Sequence, residues 1–236
     1  MWYRKRHDRG YNRVMAFSFF PSLVIFDCDG VLVDTEPVAN RALARALAEC
    51  GYEISYEECR RLFVGRTMQA VKEHVEAATG RPLREDWPDY IRSETLAAFA
   101  EGIEPVGGAH DVLRTLAARN MPYCVASSGR FEKMRFTLGA TGLLPLVEDV
   151  LFSAEEVAHG KPAPDLFLHA AARMGHAPEA CLVIEDSVPG VQAAVSAGMP
   201  VIGYVGDPMT DAAALKSEGA HVISDMSALL NILTGS

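Results

Sequence analysis

The chain has 236 residues, 49% hydrophobic and 22% charged, enough to bury one large core together with a small inserted unit. A formal net charge of -9 at pH 7 argues against a nucleic-acid surface, since phosphate backbones are bound by basic patches. No segment approaches the ~18 uninterrupted apolar residues of a membrane span, and the five cysteines (Cys28, Cys50, Cys59, Cys124, Cys181) form no CxxC pair and are odd in number, so reduced thiols in a cytoplasmic setting are expected.

Residues 1–20 stand apart, with Arg4, Lys5, Arg6, Arg9 and Arg13 against Asp8 alone. They read as a disordered basic extension, or as a start placed ahead of Met15; a targeting or surface-binding arm is the other reading. The apolar run Leu23-Val24-Ile25-Phe26, after Pro21 and Ser22, predicts a strand buried on both faces. It leads directly into Asp27-Cys28-Asp29-Gly30-Val31-Leu32-Val33-Asp34-Thr35-Glu36. Carboxylates at i and i+2 of a strand aim to the same side. Two anions there repel by roughly 3 kcal/mol at about 5 Å and an effective dielectric of about 20, so the pattern calls for a cation, a proton or both. Gly30 permits a turn and a close backbone approach, while Cys28 falls on the opposite side and reads as core.

From Pro37 the pattern is helical for about 65 residues, too long for a loop. Val38–Glu49 ends at Gly51, Ser55 and Glu58 form a capping box for a second helix through Leu62, Thr67 caps a third that ends at Gly80, and a fourth spans about Asp86–Ala100. Four short helices without an intervening strand predict an inserted helical bundle. Beyond Pro105 strand and helix alternate: helix Ala109–Arg119, strand Tyr123–Ser127, helix Arg130–Leu138, strand Val150–Phe152, helix Pro164–Met174, strand Cys181–Glu185 and helix Gly190–Ala197. Strand Val201–Val205, helix Thr210–Ser217, strand Val222–Ile223 and helix Met226–Leu233 complete the chain. The expected fold is α/β, a Rossmann-like parallel sheet with helices on both faces. Its core takes residues 21–37 and 104–236, and the helical insert takes 38–103.

Ligands of open α/β sheets bind at the carboxyl ends of the strands. After Tyr123–Ser127, the Ser127-Ser128-Gly129 turn offers a hydroxyl and successive N–H groups opening onto a helix, a suitable phosphate cradle. Gly160-Lys161-Pro162 places a cation in a short stiff loop, and Glu185-Asp186-Ser187 ends another strand with an acidic pair. Taken singly, Ser127 reads as a helix cap, Lys161 as a solvated lysine and Glu185-Asp186 as a turn. At successive strand ends they make a constellation. The seven histidines show no ligand spacing.

These four stretches, in order and covering about Leu23 to Leu233, resemble the motifs of the haloacid dehalogenase superfamily, in its branch of small-molecule phosphatases and β-phosphoglucomutase-like enzymes. The resemblance implies that the inserted helices are a cap, that Asp27 attacks phosphorus to form an aspartyl-phosphate, and that Asp29 protonates the leaving oxygen and later activates water. It implies Mg²⁺ on Asp27, the Asp29 backbone carbonyl and Asp186, with Glu185 as a further or outer ligand. Lys161 and Mg²⁺ keep Asp27 ionised, and Asp29 must carry a proton, which adjacent carboxylates favour. Ser127, Ser128 and Gly129 hold the phosphoryl oxygens. Arg66, in Val64-Gly65-Arg66-Thr67, matches the loop where relatives place specificity residues, and Arg130 is another candidate.

The expected activity is Mg²⁺-dependent hydrolysis of a small phosphorylated metabolite, a sugar phosphate, by a monomer or weak dimer with no nucleic-acid or membrane partner. A β-phosphoglucomutase-like mutase is the first alternative, although Glu36-Pro37-Val38-Ala39-Asn40 lacks the histidine of that pattern. A catalytically silent binding protein on the same fold is the alternative of another class. Dehalogenation is disfavoured by Asp29, and phosphonatase chemistry has only Lys72 to draw on in the cap.

Overall fold

The computed structural model describes residues 20–64 and 66–234; the basic extension read in residues 1–20 therefore lies outside the described residues, Phe20 excepted. In chain order the elements are β1 (Leu23–Phe26), β2 (Val33–Asp34), α1 (Glu36–Glu49), α2 (Tyr56–Phe63), α3 (Met68–Thr79), α4 (Trp87–Glu101) and β3 (Glu104–Pro105). Then come α5 (Ala109–Ala118), β4 (Tyr123–Ser127), α6 (Phe131–Ala140), α7 (Leu144–Val147), β5 (Leu151–Ser153), α8 (Asp165–Met174) and β6 (Cys181–Glu185). The last are α9 (Val188–Ser196), β7 (Val201–Tyr204), α10 (Ala212–Ser217), β8 (His221–Ile223) and α11 (Met226–Thr234).

Six strands form one parallel sheet in the order β5-β4-β1-β6-β7-β8. All four residues of β1 are buried. Because side chains alternate along a strand, Val24 and Phe26 enter one core with Leu113 and Leu116 of α5, Met134 of α6 and Leu229 of α11. Leu23 and Ile25 enter the other with Phe167 of α8, Val191 of α9 and Leu215 of α10. Each face is thus covered by helices, as the alternation of elements requires. The strand order reverses at β1, between β4 and β6, which opens the crevice where ligands of such sheets bind.

Helices α1–α4 carry a hydrophobic cluster of their own, with Leu47, Cys59, Phe63, Val71, Val75, Trp87 and Ile91 buried in it. Local signals set their ends. Ser55 and Glu58 make a complete capping box for α2, Thr67 Oγ1 accepts from the Ala70 N–H at the start of α3, and Gly80 closes α3 in the left-handed conformation. The two chain crossings between this helical unit and the sheet are joined by the antiparallel pairing of β2 with β3, Val33 opposite Pro105 and Asp34 opposite Glu104. Two-residue strands carry no periodic signal, so sequence patterning does not anticipate this ribbon. Among the described residues no helix is long and apolar enough to cross a membrane.

Candidate active site

Asp27 follows β1 directly, and its N–H donates to the Ile184 carbonyl at 2.9 Å, so the backbone ladder of the sheet sets its position. Its carboxylate is met by Lys161 Nζ at 2.5 Å, and the same ammonium donates to Glu185 Oε1 at 2.7 Å and to the Ala126 carbonyl at 3.2 Å. An ammonium has three protons; here each has an acceptor. The other oxygen of Glu185 accepts from both the N–H and the hydroxyl of Ser187, each at 2.8 Å. Both oxygens of Glu185 are therefore held within the protein. Gly190 leaves room for it, since a Cβ there would stand 1.8 Å from Glu185 Oε1.

After Asp27 the chain turns: the Gly30 N–H donates to the Val33 carbonyl at 2.8 Å with φ of 78° at Gly30, a conformation that favours glycine. Space demands it as well, because a Cβ on Gly30 would meet Asp186 Oδ2 at 2.0 Å. The turn sends Asp29 toward α6, where Lys133 Nζ donates to Asp29 Oδ2 at 2.8 Å, while Asp29 Oδ1 is buried without a hydrogen-bond partner. Ser127, at the end of β4, is buried, and its hydroxyl oxygen accepts from the Gly129 N–H at 3.1 Å. The Gly129 carbonyl in turn accepts from the Ser153 hydroxyl at 2.8 Å. The peptide groups of Gly129 thus shape the turn.

A cavity of about 630 Å³ lies over these strand ends, lined on its floor by Asp27, Asp29, Ser127, Ser128, Lys161, Glu185 and Asp186 and on its far side by Asp34, Arg60, Val64 and Asp207, with Glu36 near enough to both for its charge to act on Asp186 and to feel Asp29 and Arg60. It does not include Gly129 or Arg66 in its lining. Arg66 is exposed, and its neighbour Gly65 lies outside the described residues. The arginine that does reach the cavity is Arg60 of α2, whose Nη2 donates to Asp207 Oδ2 at 2.5 Å, across to the loop after β7. Arg130 pairs at 3.7 Å with Glu155 on the surface.

Burial dominates the electrostatics. It pushes Asp27 up to about 7, against the attraction of Lys161 and with the charges of Glu185 and Asp29 adding to it. Asp186 is raised well above the carboxylate range by burial, then by Glu185 and Asp27. Burial would lower Lys161 and Lys133, but the carboxylates beside them reverse this and hold both above the ordinary lysine value. Lys161 alone does not keep Asp27 at an ordinary carboxylate value; the floor is short of positive charge.

That shortage, an unpartnered Asp29 oxygen and an all-oxygen donor set suit a hard divalent cation. Among the described residues no three acidic, histidine or cysteine side chains already converge as a metal cage. Mg²⁺ needs none, since it keeps several waters and is held through one or two carboxylates together with substrate phosphate. Asp27 and Asp186 fit that mode.

A family model described as a haloacid dehalogenase-like hydrolase matches residues 21–198. The chain belongs to that family. This hydrolase is similar to the 6-phosphogluconate phosphatase of Escherichia coli (strain K12), at 34% identity over 186 residues, 78% of this chain and 83% of the relative. It is 33% identical over 179 residues to hexitol phosphatase A of the same organism, 75% of this chain and 80% of the relative. A crystal structure of a HAD family hydrolase from Deinococcus radiodurans R1 with bound phosphate and sodium superimposes with a TM-score of 0.81 at 32% identity, over 91% of this chain and 95% of that one. With its phosphatase relatives, the hydrolase is a phosphoric monoester hydrolase.

Two site residues escape sequence reasoning. Lys133 sits in the first turn of α6, 104 residues from its partner Asp29, and nothing local distinguishes it from a surface lysine. Arg60 lies beside Arg61 in a helix with four charged residues among eight; only the docking of α2 decides which of the two faces the cavity.

Proposed function

We propose that this hydrolase is a Mg²⁺-dependent phosphatase that cleaves a small phosphorylated sugar through an aspartyl-phosphate on Asp27. The observation that carries the reading is the Asp27 carboxylate, buried at the end of the central strand, fixed by Lys161 at 2.5 Å and facing the same cavity as Asp29, Ser127 and Asp186. Asp27 attacks phosphorus in line; Asp29 gives its proton to the departing sugar oxygen and later takes one from the water that opens the acyl phosphate. Ser127 and Ser128 hold oxygens of the transferred group, and Lys161 offsets its charge. Asp27 and Asp186, with the Asp29 carbonyl, would hold Mg²⁺, which supplies charge neutralisation for attacking and leaving oxygens. Glu185, already taken by Lys161 and Ser187, acts as a positioning residue. Helices α1–α4 act as a cap over the floor.

Water is favoured over a sugar hydroxyl as acceptor. Asn40, in the stretch after the first motif, is buried and donates its amide to the Glu36 carbonyl at 2.8 Å and to Glu36 Oε2 at 2.7 Å, and an amide cannot relay protons as an imidazole does. Phosphate release from a panel of phosphorylated sugars, abolished by EDTA and restored by Mg²⁺, is the expected result. Clean isomerisation of β-glucose 1-phosphate in phosphorus NMR, faster than phosphate release, would replace the phosphatase by a mutase.

A further inference from the structure

Beyond the floor, the polar far side of the cavity holds one guanidinium. Arg60 is 9% exposed, its Nη2 is bound to Asp207 at 2.5 Å and its Nη1 to the Tyr56 hydroxyl at 3.3 Å, and its Nε is buried without a hydrogen-bond partner. Asp34, Glu36 and Asp207 line the cavity with it; Arg60 is paired with Asp207, and its charge acts on Asp34 together with Arg41 and on Glu36 together with Lys133. Asp211 is set apart, since its carboxylate caps α10 through the Ala213 and Ala214 N–H groups at 2.9 Å. Lys161, the other cation in the lining, is used up on the floor.

We propose that Arg60 and Asp207, with Asp34 and Glu36 beside them, read the non-reacting end of the substrate and select monophosphates that end in neutral hydroxyls over those that end in a second anion. The inference rests on the phosphatase reading. A carboxylate accepts a hydrogen bond from a sugar hydroxyl, which matches a wall lined by Asp34, Glu36 and Asp207 beside the Arg60 guanidinium. A terminal carboxylate or phosphate would have to face three carboxylates with one guanidinium already paired, and like charges placed together are what rejects a wrong ligand. Area and shape do not discriminate here: a six-carbon polyol phosphate and the corresponding sugar acid phosphate differ by a hydroxymethyl against a carboxylate.

That matched pair is the test. Sorbitol 6-phosphate and 6-phosphogluconate are compared by kcat/KM in the full chain with Mg²⁺, with p-nitrophenyl phosphate measured beside them. Preference for the neutral ester by about tenfold or more is expected, and Asp207→Asn, which removes one anion and frees Arg60, should shrink that ratio by about tenfold. Arg60→Gln, offered in case Asp207→Asn fails to fold, should lower kcat/KM for sorbitol 6-phosphate more than for p-nitrophenyl phosphate, which has no distal hydroxyls to read. Equal or better turnover of 6-phosphogluconate by the unaltered enzyme overturns the inference, as does a ratio unmoved in a folded Asp207→Asn protein. Turnover of p-nitrophenyl phosphate with neither six-carbon ester accepted overturns it too. If p-nitrophenyl phosphate itself is inert, the phosphatase reading has failed, and this inference with it.

Discussion

The floor and the far side of the cavity solve the same problem, too many carboxylates, in different ways. On the floor, Asp27, Glu185 and Asp29 sit on or just after strands of one hydrogen-bonded sheet, and two lysines are each tied to fixed acceptors. Across the cavity, a single arginine on α2 bridges to the loop after β7. A rigid frame holds reacting atoms within the small tolerances that chemistry needs. Arg60 instead crosses from α2 to the loop after β7, so its position depends on how the helical unit packs against the core. On the proposals above, reaction and selection rest on different side chains and should fail separately.

The sharpest break is on the floor. Asp27→Asn should leave the fold intact, by circular dichroism, and remove nearly all turnover; retention of more than about 1% would exclude Asp27 as the nucleophile, because loss of a covalent nucleophile costs orders of magnitude. Lys133→Met, which frees Asp29 from its hydrogen-bonded ammonium, should lower kcat by about 10- to 100-fold with little change in KM. A rise in KM at constant kcat would instead place Lys133 in substrate binding.

The deficit of positive charge on the floor is open to calorimetry. Asp27 rises from its ordinary 3.8 to about 7 in the folded protein. Between those pH values the folded state without metal holds a proton that the unfolded chain has lost, so this group's contribution to stability falls as pH rises and flattens above about 7. Mg²⁺ must displace that proton, so the rise in Tm on adding Mg²⁺ should be larger at about pH 8 than at about pH 5.5. An equal rise at both pH values would remove Asp27 from the metal site. The smallest effect belongs to the surface of the helical unit: Arg66→Ala should change kcat/KM by less than about twofold on any substrate, since an exposed side chain outside the cavity contributes little. A change in substrate ranking would bring Arg66 back to the site.

Much of this was legible without coordinates. Buried strands announce themselves as short apolar runs, and β1, β4 and β6 lie where the pattern places them because burial on both faces demands an unbroken apolar run. Caps and turns are local too: Ser55 with Glu58, Thr67 and Gly80 each act within four residues. Asp27, Asp29 and Asp186 stand just past β1 and β6, Ser127 is the last residue of β4, and Lys161 comes from the loop between β5 and α8; the topology of a parallel sheet brings these strand ends to one edge.

Tertiary structure alone decided the rest. Lys133 meets Asp29 across 104 residues and Arg60 meets Asp207 across 147, contacts set by the rotation of α6 and the docking of α2, for which no local periodicity speaks. Glu185 is drawn to Lys161 and Ser187, Gly129 turns inward to Ser127, and Arg66 stays outside the cavity. The sequence by itself determines which segments are buried and where their polar ends fall, because those properties depend on neighbours a few positions away. Which acid is met by which cation depends on distances between elements, and these exist only after the sheet and the helical unit have packed.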